Sequence, residues 1–117
     1  MISGIRIIFN FNRCAGPLTV GDGVEEKIRD AVARSGVTVL SFRFTPFPDG
    51  TLNASGDLSE SHFGFGTYKE DRHVSGEVNM CNESRDNTDL ALKLVEELRG
   101  IFDPQDFNEE EDIKVFP

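Results

Sequence analysis

Between Ile5 and Asn12 the chain sets apolar Ile5, Ile7, Phe9 and Phe11 against polar Arg6, Asn10 and Asn12. This period-two pattern predicts a strand with one buried face, ended around Gly16-Pro17. After Gly21-Asp22-Gly23 the period lengthens. Val24, Ile28, Ala31 and Val32 recur at helical spacing, and Gly36 stands where a helix from about Val24 to Arg34 would stop on a left-handed residue. Val37 to Phe44, dense in β-branched and aromatic residues, predicts a second strand, broken by Pro46, Pro48 and an Asp49-Gly50 turn. Two more strands are expected over Leu52 to Leu58 and around His62 to Phe65, where Gly64 and Gly66 permit close backbone approach. The alternation of Val74, Gly76, Val78 and Met80 predicts a fifth. Asn87-Thr88-Asp89 then reads as the cap of a second helix, whose Leu90, Leu94, Val95 and Leu98 share one face and which Gly100 stops.

Asp103, Asp106, Glu109, Glu110, Glu111 and Asp112 place six carboxylates in ten residues, which reads as a solvated tail or loop. Ile113, Val115 and Phe116 add an optional short closing strand. Strands outnumber helices and cluster in the middle of the chain. The expected class is therefore α+β, a two-layer α/β sandwich with a mainly antiparallel sheet covered on one face by two helices. Its 117 residues suit a single domain. Ten Phe against one Tyr and no Trp predict a Phe-rich core.

A net charge of −9 disfavours a nucleic-acid partner and an acidic membrane surface. No apolar run approaches the roughly 20 residues that span a bilayer, and no signal-peptide pattern follows Met1, so a cytoplasmic location is expected. Cys14 and Cys81 are too few for a disulfide framework. The sequence has no P-loop, no zinc spacing and no nucleophile elbow, and His62, His73 and Cys81 lack metal-ligand spacing, so no metal is expected.

One segment carries more. Leu58-Ser59-Glu60-Ser61-His62 is followed by Thr67-Tyr68-Lys69-Glu70 and then by Glu77-Val78-Asn79-Met80-Cys81. This arrangement resembles the prokaryotic S-adenosylmethionine decarboxylase proenzymes, whose pattern runs Glu-Ser-His, three residues, His-Thr-Trp-Pro-Glu, and then a strand ending in Cys. The match is close to ungapped from Ser59 to Cys81. Weaker agreement extends to the strand ending at Cys14, the helix closing at Ser35-Gly36 and the turn Phe47-Pro48-Asp49-Gly50.

The resemblance implies a pyruvoyl-dependent enzyme. Decarboxylating an α-amino acid leaves a carbanion at Cα, so the enzyme needs an electrophilic carbonyl that forms a Schiff base and accepts the electrons. In the family a serine makes that carbonyl. Here Ser61 would attack the Glu60 carbonyl, and elimination would leave a chain of residues 1–60 and a chain of residues 61–117 that begins with a pyruvoyl group. By the same resemblance Cys81 is the proton donor in catalysis, Glu70 binds the substrate ribose and Phe47 stacks on the adenine. Cys14 matches a family cysteine without assigned chemistry.

The family histidine used in processing falls on Gly66, with His73 on a neighbouring strand as the candidate replacement. The assisting family serine falls on Asn53 by ungapped counting or on Ser55 by its Ser-Gly pair. The implied product is decarboxylated S-adenosylmethionine for spermidine synthesis, made by a homodimer of processed protomers. Two other readings stand beside it: a pyruvoyl decarboxylase of arginine or ornithine, and an unprocessed, non-catalytic homologue that binds a metabolite or a partner subunit.

Overall fold

A computed structural model describes residues 2–115. Strand β1 (Ile2–Cys14) is followed by a 3-10 turn (Val20–Asp22), helix α1 (Val24–Ser35), and strands β2 (Val39–Pro46), β3 (Leu52–Leu58), β4 (Ser61–Tyr68) and β5 (His73–Cys81). Helix α2 (Thr88–Phe102) and strand β6 (Pro104–Val115) complete the chain. The six strands form one sheet in the order β2-β3-β4-β5-β1-β6, antiparallel at every pairing. The architecture is the expected α+β sandwich.

The alternation in β1 explains the two layers. Ile5, Ile7, Phe9 and Phe11 are fully buried and join Leu52, Ala54, Phe63, Phe65, Val74 and Val78 on the face beneath the helices. The helices contribute Val24, Ile28, Ala31 and Val32 from α1 and Ala91, Leu94, Val95, Leu98 and Phe102 from α2. Aromatic rings fill the centre, as the composition predicts. Phe9 stacks on Phe11 at 4.8 Å, and Phe65 meets the Phe102 ring edge-on at 5.8 Å. Gly76 lies under this layer because a Cβ there would fall 2.2 Å from the Gly64 carbonyl oxygen. Gly36, at φ 87°, ends α1 as expected.

Two expectations about the C-terminal third are overturned. Helix α2 passes through Gly100 and ends at Asp103, whose φ is 47°. A glycine costs a helix interior only about 1 kcal/mol, less than fully burying a Phe side chain contributes, and Phe102 is fully buried. The acidic stretch is likewise no tail. It forms β6, which pairs with β1 from Pro104 opposite Cys14 to Val115 opposite Ile2. Sheet burial of β1 demands a partner along its outer edge, and the acidic residues alternate: Asp106 and Asp112 pair with Arg13 and Arg6, while Glu109 bonds Arg99 of α2. The expected closing strand is the end of β6, and Phe116 lies outside the described residues.

Candidate active site

Ser61 opens β4 directly after a two-residue connection, Ser59-Glu60, with Leu58 opposite Ser61 across the hairpin. Such tight connections normally use residues that accept positive φ. Neither Ser59 nor Glu60 has one; Ser61 does, at 147°. For a residue with a Cβ this region costs about 1–3 kcal/mol and persists only where the surroundings impose it. Those surroundings are specific. The Ser59 amide donates to the Thr38 carbonyl at 3.0 Å, and the Cys81 amide donates to the Glu60 carbonyl at 2.8 Å. On its other side Ser61 pairs with Met80, which precedes Cys81 in the chain.

The Glu60 side chain is fixed independently. Its Oε1 accepts from the amide of Ser84 at 3.1 Å and from the Ser84 hydroxyl, and its Oε2 accepts from the Asn87 amide group. The Ser84 hydroxyl, followed by the Ser84 amide and Asn87, holds the Glu60 carboxyl below its ordinary range. Asn87 Nδ2 also donates to the Cys81 carbonyl at 2.7 Å. Asn87 occupies the N-cap position of α2, yet its side chain does not cap the helix. Asp86 Oδ1 does, accepting from the Thr88 amide at 2.9 Å. One buried side chain thus ties the residue before Ser61, the end of β5 and the start of α2 together. From the sequence Asn87 reads only as a cap, because its partners are distant in the chain.

Beside Ser61 stands His62, with Nδ1 3.4 Å from Ser61 Oγ and Nε2 3.7 Å from Glu77 Oε1. Glu77 in turn lies 4.0 Å from Arg6 Nε.

The remaining sequence-chosen residues are elsewhere. Asn53 sits opposite Gly66 and Ser55 opposite Gly64, so Ser55 is the nearer of the two to Ser61 along the hairpin. At Gly66 a Cβ would fall 2.8 Å from Asn53 Oδ1 and 3.3 Å from the Tyr68 hydroxyl. His73 opens β5 opposite Tyr68, and its Nδ1 is 2.9 Å from Asn12 Oδ1. Tyr68 lies seven residue steps along β4 from Ser61, about 23 Å of extended chain. Glu70 lies past Tyr68 in a cleft of about 210 Å³ shared with Asp49, Thr51, Lys69 and Asp71. Phe47, 44% exposed rather than in the core, follows β2 at the same end.

The candidate residues therefore form two groups at opposite ends of the sheet. Glu60, Ser61, His62 and Cys81 stand at one; Phe47, Asn53, Gly66, Glu70 and His73 stand toward the other. Within one protomer His73 does not reach Ser61. Cys14 is buried, and desolvation pushes its thiol up to about 11, with Arg72 opposing and Asp103 adding to the rise.

The residues at the first end suit an internally generated carbonyl. A serine in a strained backbone follows a carbonyl that already accepts an amide hydrogen bond, and a thiol-bearing residue adjoins both.

Comparison with curated proteins returns no significant match. Among solved structures, the crystal structure of the adenosylmethionine decarboxylase from Aquifex aeolicus VF5 superposes with a TM-score of 0.84. The alignment covers 99% of this chain and 93% of that one, at 16% identity, so it establishes a shared fold. The family model described as S-adenosylmethionine decarboxylase matches residues 5–109, from the first buried residues of β1 into β6. With nearly the whole chain inside that match, and a sheet of the same fold, the protein belongs to the S-adenosylmethionine decarboxylase family.

Proposed function

We propose that this protein is a self-processing, pyruvoyl-dependent decarboxylase of S-adenosylmethionine that acts in the cytoplasm and supplies the aminopropyl donor for spermidine synthesis. The observation that carries the reading is the Glu60–Ser61 bond, whose carbonyl accepts the Cys81 amide at 2.8 Å and whose serine is held at φ 147°. An amide donor aimed at a carbonyl oxygen stabilises the negative charge that develops there when a nucleophile attacks. Strain at Ser61 favours cleavage because breaking the bond releases it.

The pyruvoyl group made from Ser61 supplies the electron sink for decarboxylation. The chain's own residues do the rest. Cys81 offers its thiol as the donor that returns a proton to the substrate Cα. Glu70 accepts the ribose hydroxyls, and exposed Phe47 presents a ring to the adenine.

Because Glu70 and Phe47 lie at the far end of the sheet from Ser61, one protomer does not assemble the site. A homodimer with the open, polar sheet faces together and the strands running oppositely would bring the far end of one protomer to the Ser61 end of its partner. The same pairing is the route by which His73, or Ser55 and Asn53, would approach Ser61.

The denatured intact mass tests processing. Two fragments, with the 61–117 piece lighter than a serine-started chain, support the reading; a single uncleaved mass after long incubation sinks it. Release of labelled carbon dioxide from S-adenosylmethionine, compared with arginine and ornithine, tests the substrate. Ser61→Ala is expected to abolish both cleavage and turnover. The buried, side-chain-free Gly66 opposite Asn53 favours a second reading, an uncleaved homologue that binds a metabolite or partner subunit.

A further inference from the structure

We propose that His62 is the base that moves the Ser61 hydroxyl proton during self-processing, with Glu77 as its positioning residue; this rests on the pyruvoyl reading above. Four facts carry it. His62 Nδ1 lies 3.4 Å from Ser61 Oγ, and the other ring nitrogen lies 3.7 Å from Glu77 Oε1. Gly66 offers no proton acceptor, and within one protomer the ring of His73 lies at the opposite end of β5 from Ser61.

The sheet dictates this line. His62 pairs with Asn79 and Gly64 with Glu77, so Glu77 reaches diagonally across one register step to the ring, a distance long side chains span between strands. Arg6, from the strand beyond, sits 4.0 Å from the second Glu77 oxygen. A hydroxyl, an imidazole and a carboxylate in this order form the arrangement that activates serine nucleophiles on unrelated folds, where the carboxylate orients the ring. Both separations exceed a tight hydrogen bond, as resting sites commonly do before reaction.

In the step itself Ser61 Oγ bonds to the Glu60 carbonyl carbon while its proton passes to His62 Nδ1. The carbonyl electron pair moves to the oxygen that accepts the Cys81 amide. The pair then returns to re-form the carbonyl, the carbon–nitrogen bond breaks, and His62 delivers the proton to the Ser61 nitrogen. An ester and a free amine result, with no oxidant or reductant consumed.

The experiment follows cleavage of freshly purified full-length chain by denatured mass, independent of decarboxylation. General-base loss typically costs about 10²- to 10⁴-fold, so His62→Ala is expected to slow cleavage by at least about 100-fold, with partial recovery in added imidazole. Glu77→Gln should slow wild-type cleavage about tenfold yet change nothing in the His62→Ala background, because coupled residues are non-additive. Circular dichroism of each variant should match wild type, since His62 is exposed.

Wild-type cleavage with an unimpaired His62→Ala chain would overturn the assignment while leaving the pyruvoyl reading intact. So would a slowed variant that imidazole does not restore, or loss of cleavage in His73→Gln with His62→Gln unaffected. An uncleaved wild-type chain would overturn both.

Discussion

Gly76 and Cys14 show how tightly single positions are set. A side chain at Gly76 would meet the Gly64 carbonyl and the Cα and Cβ of Phe65 within 2.5 Å, and backbone in mid-sheet does not yield. Overpacking of this kind costs about 1–3 kcal/mol, so Gly76→Ala is expected to lower the thermal midpoint by several degrees in a scan against wild type. Burial of Cys14 places its ionisation near 11, and the thiolate is the reactive form. At pH 8 a thiol reagent should therefore modify half-buried Cys81 first and reach Cys14 only on unfolding. The readout is one equivalent in native buffer and two in denaturant. The raised Cys14 value also sets a sign: its contribution to stability is fully present below the ordinary thiol range and is lost as pH rises toward 11.

At the scale of elements, the Ser61 site depends on where three segments meet: the β3–β4 hairpin, the end of β5 and the start of α2. Asn87 joins them through Glu60 and the Cys81 carbonyl. Asn87→Ala would leave those acceptors without their buried donor, a loss of about 1–3 kcal/mol, and should also slow any cleavage at Glu60–Ser61 by freeing the hairpin. Chemical denaturation and the mass assay measure the two effects separately. Glu60 adds a pH dependence. Its carboxyl is held below the ordinary value, chiefly by the Ser84 hydroxyl, so its tie to Ser84 and Asn87 is complete above the usual carboxylate range and lost as pH falls through the lowered value. Wild type should lose this contribution in acid, and Asn87→Ala should narrow the difference between neutral and acid midpoints.

For the whole molecule, the separation of Ser61 and Cys81 from Glu70 and Phe47 leads to a complementation test. If each site takes residues from two protomers, Ser61→Ala and Glu70→Ala chains are each inactive alone. Mixed by co-expression, half of the dimers are hybrid and each carries one intact site, giving about a quarter of wild-type activity. No recovery in demonstrably mixed dimers would refute the shared site and leave the family assignment untouched.

Periodicity made most of the fold legible in the sequence. Apolar residues two apart in β1 and β5, and three or four apart in α1 and α2, each select one buried face, and local backbone geometry converts that pattern into a strand or a helix. The Glu60-Ser61 and Cys81 pattern was legible by a different route, as a resemblance to a family motif carried by the run from Ser59 to Cys81. What depended on distant partners was not. Gly100 and the six carboxylates read locally as a helix stop and a solvated tail, yet the burial of Phe102 and the open edge of β1 outweighed those preferences. The roles of Asn87 and His62, and the placement of Glu70 and Phe47 far from Ser61, arise only when strands pair. Pairing register is a tertiary property, set by the burial of a whole face, and it alone brings side chains from different strands within bonding distance or holds them a sheet's length apart.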